Sequence, residues 1–312
     1  MPTTSMPLST SAPGSLMLLG EHAVLHGRQA VVAAVARRVR VRLAPREDDE
    51  IHVQSALGEF VTRRTQLGAH APLRFVLGAI EERAASLPAG FELAIESDNS
   101  EKIGFGSSAA VTVATLAALH VWTTGAFRVE DVLRDGLRVV RRVQGVGSGA
   151  DIAASTYGGI VAYRAQPLEV RRLAAAHPFV AVYSGSKMPT PDVIRFVESR
   201  RSVHPGLFER AYDLIGDCAV AAVQAIDRGD WATLGVMMNL NHGLMDAIGV
   251  SNQALSSIVY ALRAEPGVLG SKISGSGLGD CAIGLGTVTR QGFPYPVMPV
   301  EVAQQGVVIE AH

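Results

Sequence analysis

Gly104-Phe105-Gly106-Ser107-Ser108-Ala109-Ala110 is followed by a run of Ala, Val, Thr and Leu that reaches His120. Glycines let a backbone turn its N–H groups inward, and a serine at 107 or 108 opens a helix whose positive end favours an anion. The stretch therefore reads as a phosphate cradle leading into a small-residue helix. It lacks the Gly-Lys-Ser/Thr of a Walker loop and the third glycine of a dinucleotide fingerprint. Alone, it reads equally as a structural turn before a serine-capped helix.

Outward from this loop, the hydrophobic spacing alternates between two periods. Val39 to Leu43 repeats every second residue, as a half-exposed strand does, and Phe91, Leu93 and Ile95 repeat the same way. Between them Leu73, Val76, Leu77, Ile80, Ala84 and Leu87 recur at helical spacing. Leu16 to Leu19 predicts a short strand, with the chain before it loose to about Thr10. A charged amphipathic helix is predicted over 129–143, and a second glycine loop, Gly145 to Ala150, leads through Asp151 to a strand at Gly159 to Tyr163. Further on, a strand at Phe179 to Tyr183 precedes helices near 191–202, 207–228, 230–242 and 252–264. A strand-turn unit at Lys272 to Leu285 and a last strand at Gly306 to Ile309 complete the second half. This segregated order predicts α+β domains rather than a doubly wound parallel sheet. Two domains are expected, 1–167 and 168–312.

Composition narrows the function. Of 312 residues, 48% are apolar and 18% charged, which excludes a disordered chain. The formal net charge of −1 gives no electrostatic reason to expect nucleic acid or an anionic membrane, so any bound anion must be gripped locally. The longest apolar run, Ala30 to Ala36, is far shorter than the roughly 20 residues of a bilayer span. No Lys or Arg precedes Arg28, so the basic start of a secretory signal is missing. Cys218 and Cys281 stand apart without metal-ligand spacing. A cytoplasmic protein is expected. Only Lys102, Lys187 and Lys272 are lysines, and two of these lie just before glycine-rich turns.

Two more turns carry polar groups. Ala12-Pro13-Gly14-Ser15-Leu16-Met17-Leu18-Leu19-Gly20-Glu21-His22-Ala23-Val24-Leu25-His26-Gly27 hands an apolar strand to a carboxylate and an imidazole, which either face a substrate or satisfy the turn itself. Gly275-Ser276-Gly277-Leu278-Gly279-Asp280-Cys281 has three glycines in five positions, so another group can approach its backbone closely. A tight turn between strands explains it equally well.

Taken together, the three turns resemble the signature segments of the GHMP kinases and, within that superfamily, the mevalonate kinases most closely. Val143 to Gly159, with Ser148, Asp151 and Tyr157-Gly158-Gly159, is similar to the stretch bearing their catalytic aspartate, and Met237 to Val250 to one of their helix-turns. The resemblance runs from about Ser11 to Leu285. It implies a two-domain α+β fold, with a left-handed β-α-β N-terminal domain and a ferredoxin-like C-terminal one. It implies transfer of the γ-phosphoryl group of ATP, with Mg²⁺, to the 5-hydroxyl of mevalonate, a small hydroxy acid, in isoprenoid precursor synthesis. Asp151 would orient or deprotonate the acceptor hydroxyl. Lys102, Gly104, Gly106, Ser107, Ser108, Ala109, Ser148, Gly275, Ser276 and Gly277 would hold the nucleotide, with Ser108 also on the metal. Glu21, His22 and Thr190 would face the acceptor, although Thr190 ahead of Pro191 is also explained as a helix cap. A homodimer is implied as well. Sister activities stay open: a 3-kinase, a phosphomevalonate kinase, a decarboxylase, or a non-catalytic nucleotide-binding homologue.

The chain departs from this pattern at two positions. Ser15 stands where the resemblance expects a lysine paired with the aspartate. Val140, eleven residues before Asp151, stands where it expects a metal-binding glutamate. Lys102 or Lys187 is the candidate replacement for the lost positive charge. Mg²⁺ would then fall to Ser108, phosphates, water and Asp151. His242 and Asp246, four residues apart on one helix face, are read as a structural turn rather than a metal pair.

Overall fold

The computed structural model describes residues 6–68, 71–98, 105–173 and 177–311. The chain runs β1 (Leu8–Leu19), a 3₁₀ turn (Ala23–His26), β2 (Ala30–Pro45), β3 (Glu50–Ser55), β4 (Gly58–Arg63), α1 (Arg74–Arg83), β5 (Phe91–Ser97), α2 (Ser107–Thr124), α3 (Val129–Gln144), α4 (Ala150–Tyr157), β6 (Ile160–Arg164) and β7 (Glu169–Leu173). It continues through β8 (Phe179–Tyr183), α5 (Thr190–Val203), α6 (Pro205–Asp227), α7 (Trp231–Ala247), α8 (Gln253–Arg263), β9 (Val268–Ser274), β10 (Cys281–Gly286), β11 (Met298–Val300) and β12 (Val308–Ile309). This is the mixed α+β architecture that the element order predicts.

The first sheet has the order β12-β1-β2-β5-β3-β4, with β6 and β7 joined along β2. β3 and β5 pair in parallel, with α1 in the connection between them. The second sheet is antiparallel in the order β11-β8-β10-β9. Counted along the chain, that is fourth, first, third, second, the ferredoxin-like order. Residues 287–297, between β10 and β11, form a loop instead of the second crossover helix.

β1 and the first half of β2 explain why Ala30 to Ala36 is apolar without a break. Met17, Ala30 and Val32 face a core shared with α2 and α3, while Leu16, Leu18, Val31, Ala33 and Val35 face a second core shared with α6, α7 and the second sheet. Each strand is covered on both sides, so neither face has a place for an alternating row of polar residues. Past Val35 the cover ends on one side and the alternation returns.

Two sequence expectations change, and some elements had none. Leu8 to Thr10, the end of the segment expected to be loose, begin β1, while residues 1–5 of that segment lie outside the described residues: Thr10 and Ser11 pair with β12, and Thr10 Oγ1 donates to the Ala114 carbonyl at 2.8 Å. Polar side chains hid this strand because their partners lie across the core. The hairpin β3–β4 had no prediction, and neither did α4, an eight-residue helix of small residues. The final strand belongs to the first sheet, since β12 pairs with β1. β7 also lies in the first sheet, paired with β6.

Candidate active site

The three glycine turns converge on one cleft between the two sheets. Its wall includes Ser15, Glu21, His22, Gly106, Ser108, Ala109, Ser148, Asp151, Thr190, Gly275 and Ser276. The cleft is open to solvent at its mouth. Lys102 and Gly104 lie outside the described residues. Gly277 and Ser107 are not on the wall. Gly277 packs instead against the α7–α8 connection, where a Cβ would come within 2.4 Å of the Val250 carbonyl. Ser107 is the first residue of α2, whose cap is Gly106 with backbone bonds alone, from the Ala109 and Ala110 N–H groups to its carbonyl.

The first two turns are locked together. Ser15 N donates to the Phe105 carbonyl at 3.1 Å. Gly106 sits at φ +63° with its α-carbon so close to β1 that a Cβ would fall 1.9 Å from Ser15 Oγ. No side chain fits there, which is why the loop needs glycine at 106.

Asp151 lies in the first turn of α4, after Gly149. Ser15 Oγ donates to its Oδ1 at 2.8 Å. The residue opens onto the cleft, yet protein surrounds the carboxyl in depth. That loss of water raises its pKa above the ordinary aspartate value, with Asp280 and Glu21 adding to the rise while Ser15 and the charge of Lys187 oppose it. Just ahead of α4, Ser148 Oγ accepts from Ala150 N at 3.2 Å.

Glu21 is less free than the sequence suggests. Lys272 Nζ donates to Oε1, and Asn241 Nδ2 donates to Oε2 at 3.3 Å. Lys272 is fully buried and also donates to the Ile273 carbonyl. A carboxylate taken out of water needs such partners: the second domain bonds both Glu21 oxygens, while the residue stays on the cleft wall. His22, at φ +60°, donates from Nε2 to the Ser276 carbonyl at 2.8 Å, joining the first turn to the third. Burial lowers its pKa against the opposing pull of that bond, so the ring is neutral. Thr190 is on the cleft wall, while the cap of α5 is Pro189, without a side-chain hydrogen bond.

Lys187 and Asp280, also on the wall, form an ion pair of 2.8 Å. Asp280 was not singled out from sequence as a site residue, although an aspartate within a glycine loop is a readable signal. Val140 and Gln144 of α3 and Phe75 of α1 line the cleft too; helical spacing marks Val140 only as core. His242 is buried in α7, and among the described residues no group of three or more His, Cys, Asp or Glu side chains could hold a metal.

The comparisons agree with this fold. Residues 73–159 match the GHMP kinases N terminal domain and residues 222–290 the GHMP kinases C terminal domain. A mevalonate kinase of Pyrococcus furiosus is 31% identical, covering 98% of this chain and 99% of the relative. The chain belongs to the GHMP kinase family. Another family member, a mevalonate kinase of Archaeoglobus fulgidus, is 34% identical over 96% of this chain and 99% of its own. The crystal structure of L. major mevalonate kinase in complex with R-mevalonate superposes with a TM-score of 0.76 at 26% identity, covering 95% of this chain and 96% of that one. This GHMP kinase has the family's two-domain fold, and family membership makes it an ATP-dependent kinase acting on a small molecule.

Proposed function

We propose that this GHMP kinase is a mevalonate kinase that transfers the γ-phosphoryl group of ATP to the 5-hydroxyl of mevalonate. The observation that carries the reading is Asp151 on the cleft wall, held by Ser15 and ringed by three turns that present backbone N–H groups and hydroxyls. The naming of the long relatives selects mevalonate as the acceptor.

Phosphoryl transfer rests on positioning and on neutralising spread-out negative charge. The Asp151 carboxylate orients the acceptor hydroxyl and takes its proton as the new O–P bond forms. The electron pair of the broken bond leaves on ADP. Gly106, Ser108 and Ala109, at the start of α2, and Ser148, Gly275 and Ser276 face the phosphates with polar donors. His22, neutral and held by the Ser276 carbonyl, leaves Nδ1 for the acceptor, and Thr190 offers a hydroxyl. Glu21 acts through the position it gives His22.

The Ser108 hydroxyl and the Asp151 carboxylate fit Mg²⁺, which takes one or two carboxylates beside phosphate oxygens and water; bound there, it would offset phosphate charge. A division into two domains, a homodimer and a cytoplasmic location complete this reading. Cys218 and Cys281 are buried and form no disulfide, which suits a reducing compartment.

The test is an ADP-release assay with mevalonate, its 5-phosphate and its diphosphate, with products identified by phosphorus NMR. Mevalonate 5-phosphate as the product is the expected result. A 3-phosphate, turnover of the phosphorylated acceptors alone, or release of CO₂ would move the chain to a sister activity.

A further inference from the structure

Serine at 15 and valine at 140 leave this cleft without two polar groups expected from the family resemblance. Among the described residues on its wall, Lys187 is the one lysine or arginine. A triphosphate and an acidic acceptor bring several negative charges into that space, and transfer spreads further charge over the phosphoryl oxygens. A cation is needed close to the reacting atoms.

Lys187 is held as a built part of the wall. Asp280 N donates to the Ser186 carbonyl at 2.6 Å, and Ser184 N donates to the Asp280 carbonyl at 2.8 Å, so the third glycine turn is stapled to the loop after β8. Gly279 makes this approach possible: a Cβ there would lie 2.7 Å from the Ser186 oxygen and 3.0 Å from Lys187 Cα. Asp280 takes a left-handed conformation at φ +67°, one that aspartate tolerates better than most residues. Its Oδ2 meets Lys187 Nζ at 2.8 Å, while Oδ1 is buried with no hydrogen-bond partner. An ammonium has three N–H donors. With one on Asp280, two are left for phosphoryl oxygens.

We propose that Lys187 is a catalytic residue that neutralises the phosphoryl group in transit, and that Asp280 is the positioning residue that holds its ammonium in the cleft. The assignment rests on the kinase reading above. In the step, the acceptor oxygen bonds to the γ-phosphorus and the bond to the bridging oxygen breaks with its electrons leaving on ADP. The hydroxyl proton goes to Asp151. Lys187 keeps all its protons throughout.

The experiment compares the full-length wild type with Lys187→Met, Lys187→Arg and Asp280→Asn in steady-state turnover across pH and Mg²⁺ concentration. A fluorescent ATP analogue reports nucleotide binding, and circular dichroism checks folding. Lys187→Met is expected to lower kcat about 10²–10³-fold, the usual cost of one oriented donor to a transition-state charge, with nucleotide affinity within about fivefold of wild type. Lys187→Arg should recover part of kcat. Asp280→Asn should lower kcat roughly tenfold at an unchanged Mg²⁺ midpoint. Turnover by Lys187→Met within threefold of wild type overturns the assignment. A raised Mg²⁺ midpoint in Asp280→Asn also overturns it, by making Asp280 a metal ligand. A folded wild type that binds nucleotide but turns over no acceptor takes down the kinase reading and this assignment together, whereas an active wild type with an equally active Lys187→Met takes down the lysine alone.

Discussion

Lys272 and Glu21 form an ion pair that is buried on both sides, joining β9 of one domain to the turn after β1 of the other. Asn241 on α7 completes it, donating to Glu21 and accepting from Gly20 N at 3.5 Å. Burial lowers the Lys272 pKa, and the charge and hydrogen bond of Glu21 oppose that fall. The pair thus fixes where His22 stands relative to Ser276 before any ligand arrives.

Removing one member strands the other charge in the core. Lys272→Met should destabilise the fold by about 3–5 kcal/mol, and Glu21→Gln by a similar amount. The double variant should recover a substantial part of that loss, since no lone charge is left. Urea denaturation of the four proteins measures the coupling, and strictly additive losses would refute it.

The Ser15 hydroxyl is the direct partner of Asp151. Ser15→Ala should raise the Asp151 pKa further, because the hydrogen bond favours the charged carboxylate. The base is active when ionised, so turnover falls first on the acidic side. The acidic limb of kcat/KM should move up by about one pH unit or less, with little change above it. An unmoved limb would mean that Asp151 is not the group being titrated.

Asp151→Asn keeps the shape and removes the base. Turnover should drop about 10²–10⁴-fold, while binding of a fluorescent ATP analogue stays within threefold. A parent protein that binds nucleotide without any turnover would instead mark the chain as a binder that kept the cradle.

Buried His242 has a pKa lowered to about 4, first through burial and then through the charges of Arg263 and Lys272. The unfolded chain takes up this proton near pH 6.5 and the folded one only near 4, so stability is complete above pH 6.5 and falls as pH drops through that window. At about 1.36 kcal/mol for each pH unit between those two values, the total is roughly 3 kcal/mol. Denaturation curves between pH 4 and 7 should show a slope that is shallower in His242→Gln.

Much of the fold was legible because apolar spacing records which face of an element is covered. The strand at Phe179–Tyr183 matches its expected span, and α3, α5, α6 and α8 lie within two residues of theirs, while α2 and α7 run on to Thr124 and Ala247. The glycine turns were legible for a related reason: backbone at Gly106 and Gly279 must pass where no side chain fits. Elements whose cover comes from far along the chain were not. Thr10 and Ser11 look solvated until β12 returns beside them, and α4 is too short and too small in its residues to show a period.

By itself, the amino-acid sequence determined the order of most helices and central strands, the three turns and the aspartate after the second glycine loop, because each depends on neighbours a few residues away. The partners of the polar groups were decided only by tertiary structure. Lys272 meets Glu21 across 251 positions of chain, and Lys187 meets Asp280 from a separate loop. A charge leaves no periodic trace of its counterion, since Coulomb attraction acts through space and is strong only where folding has removed the water.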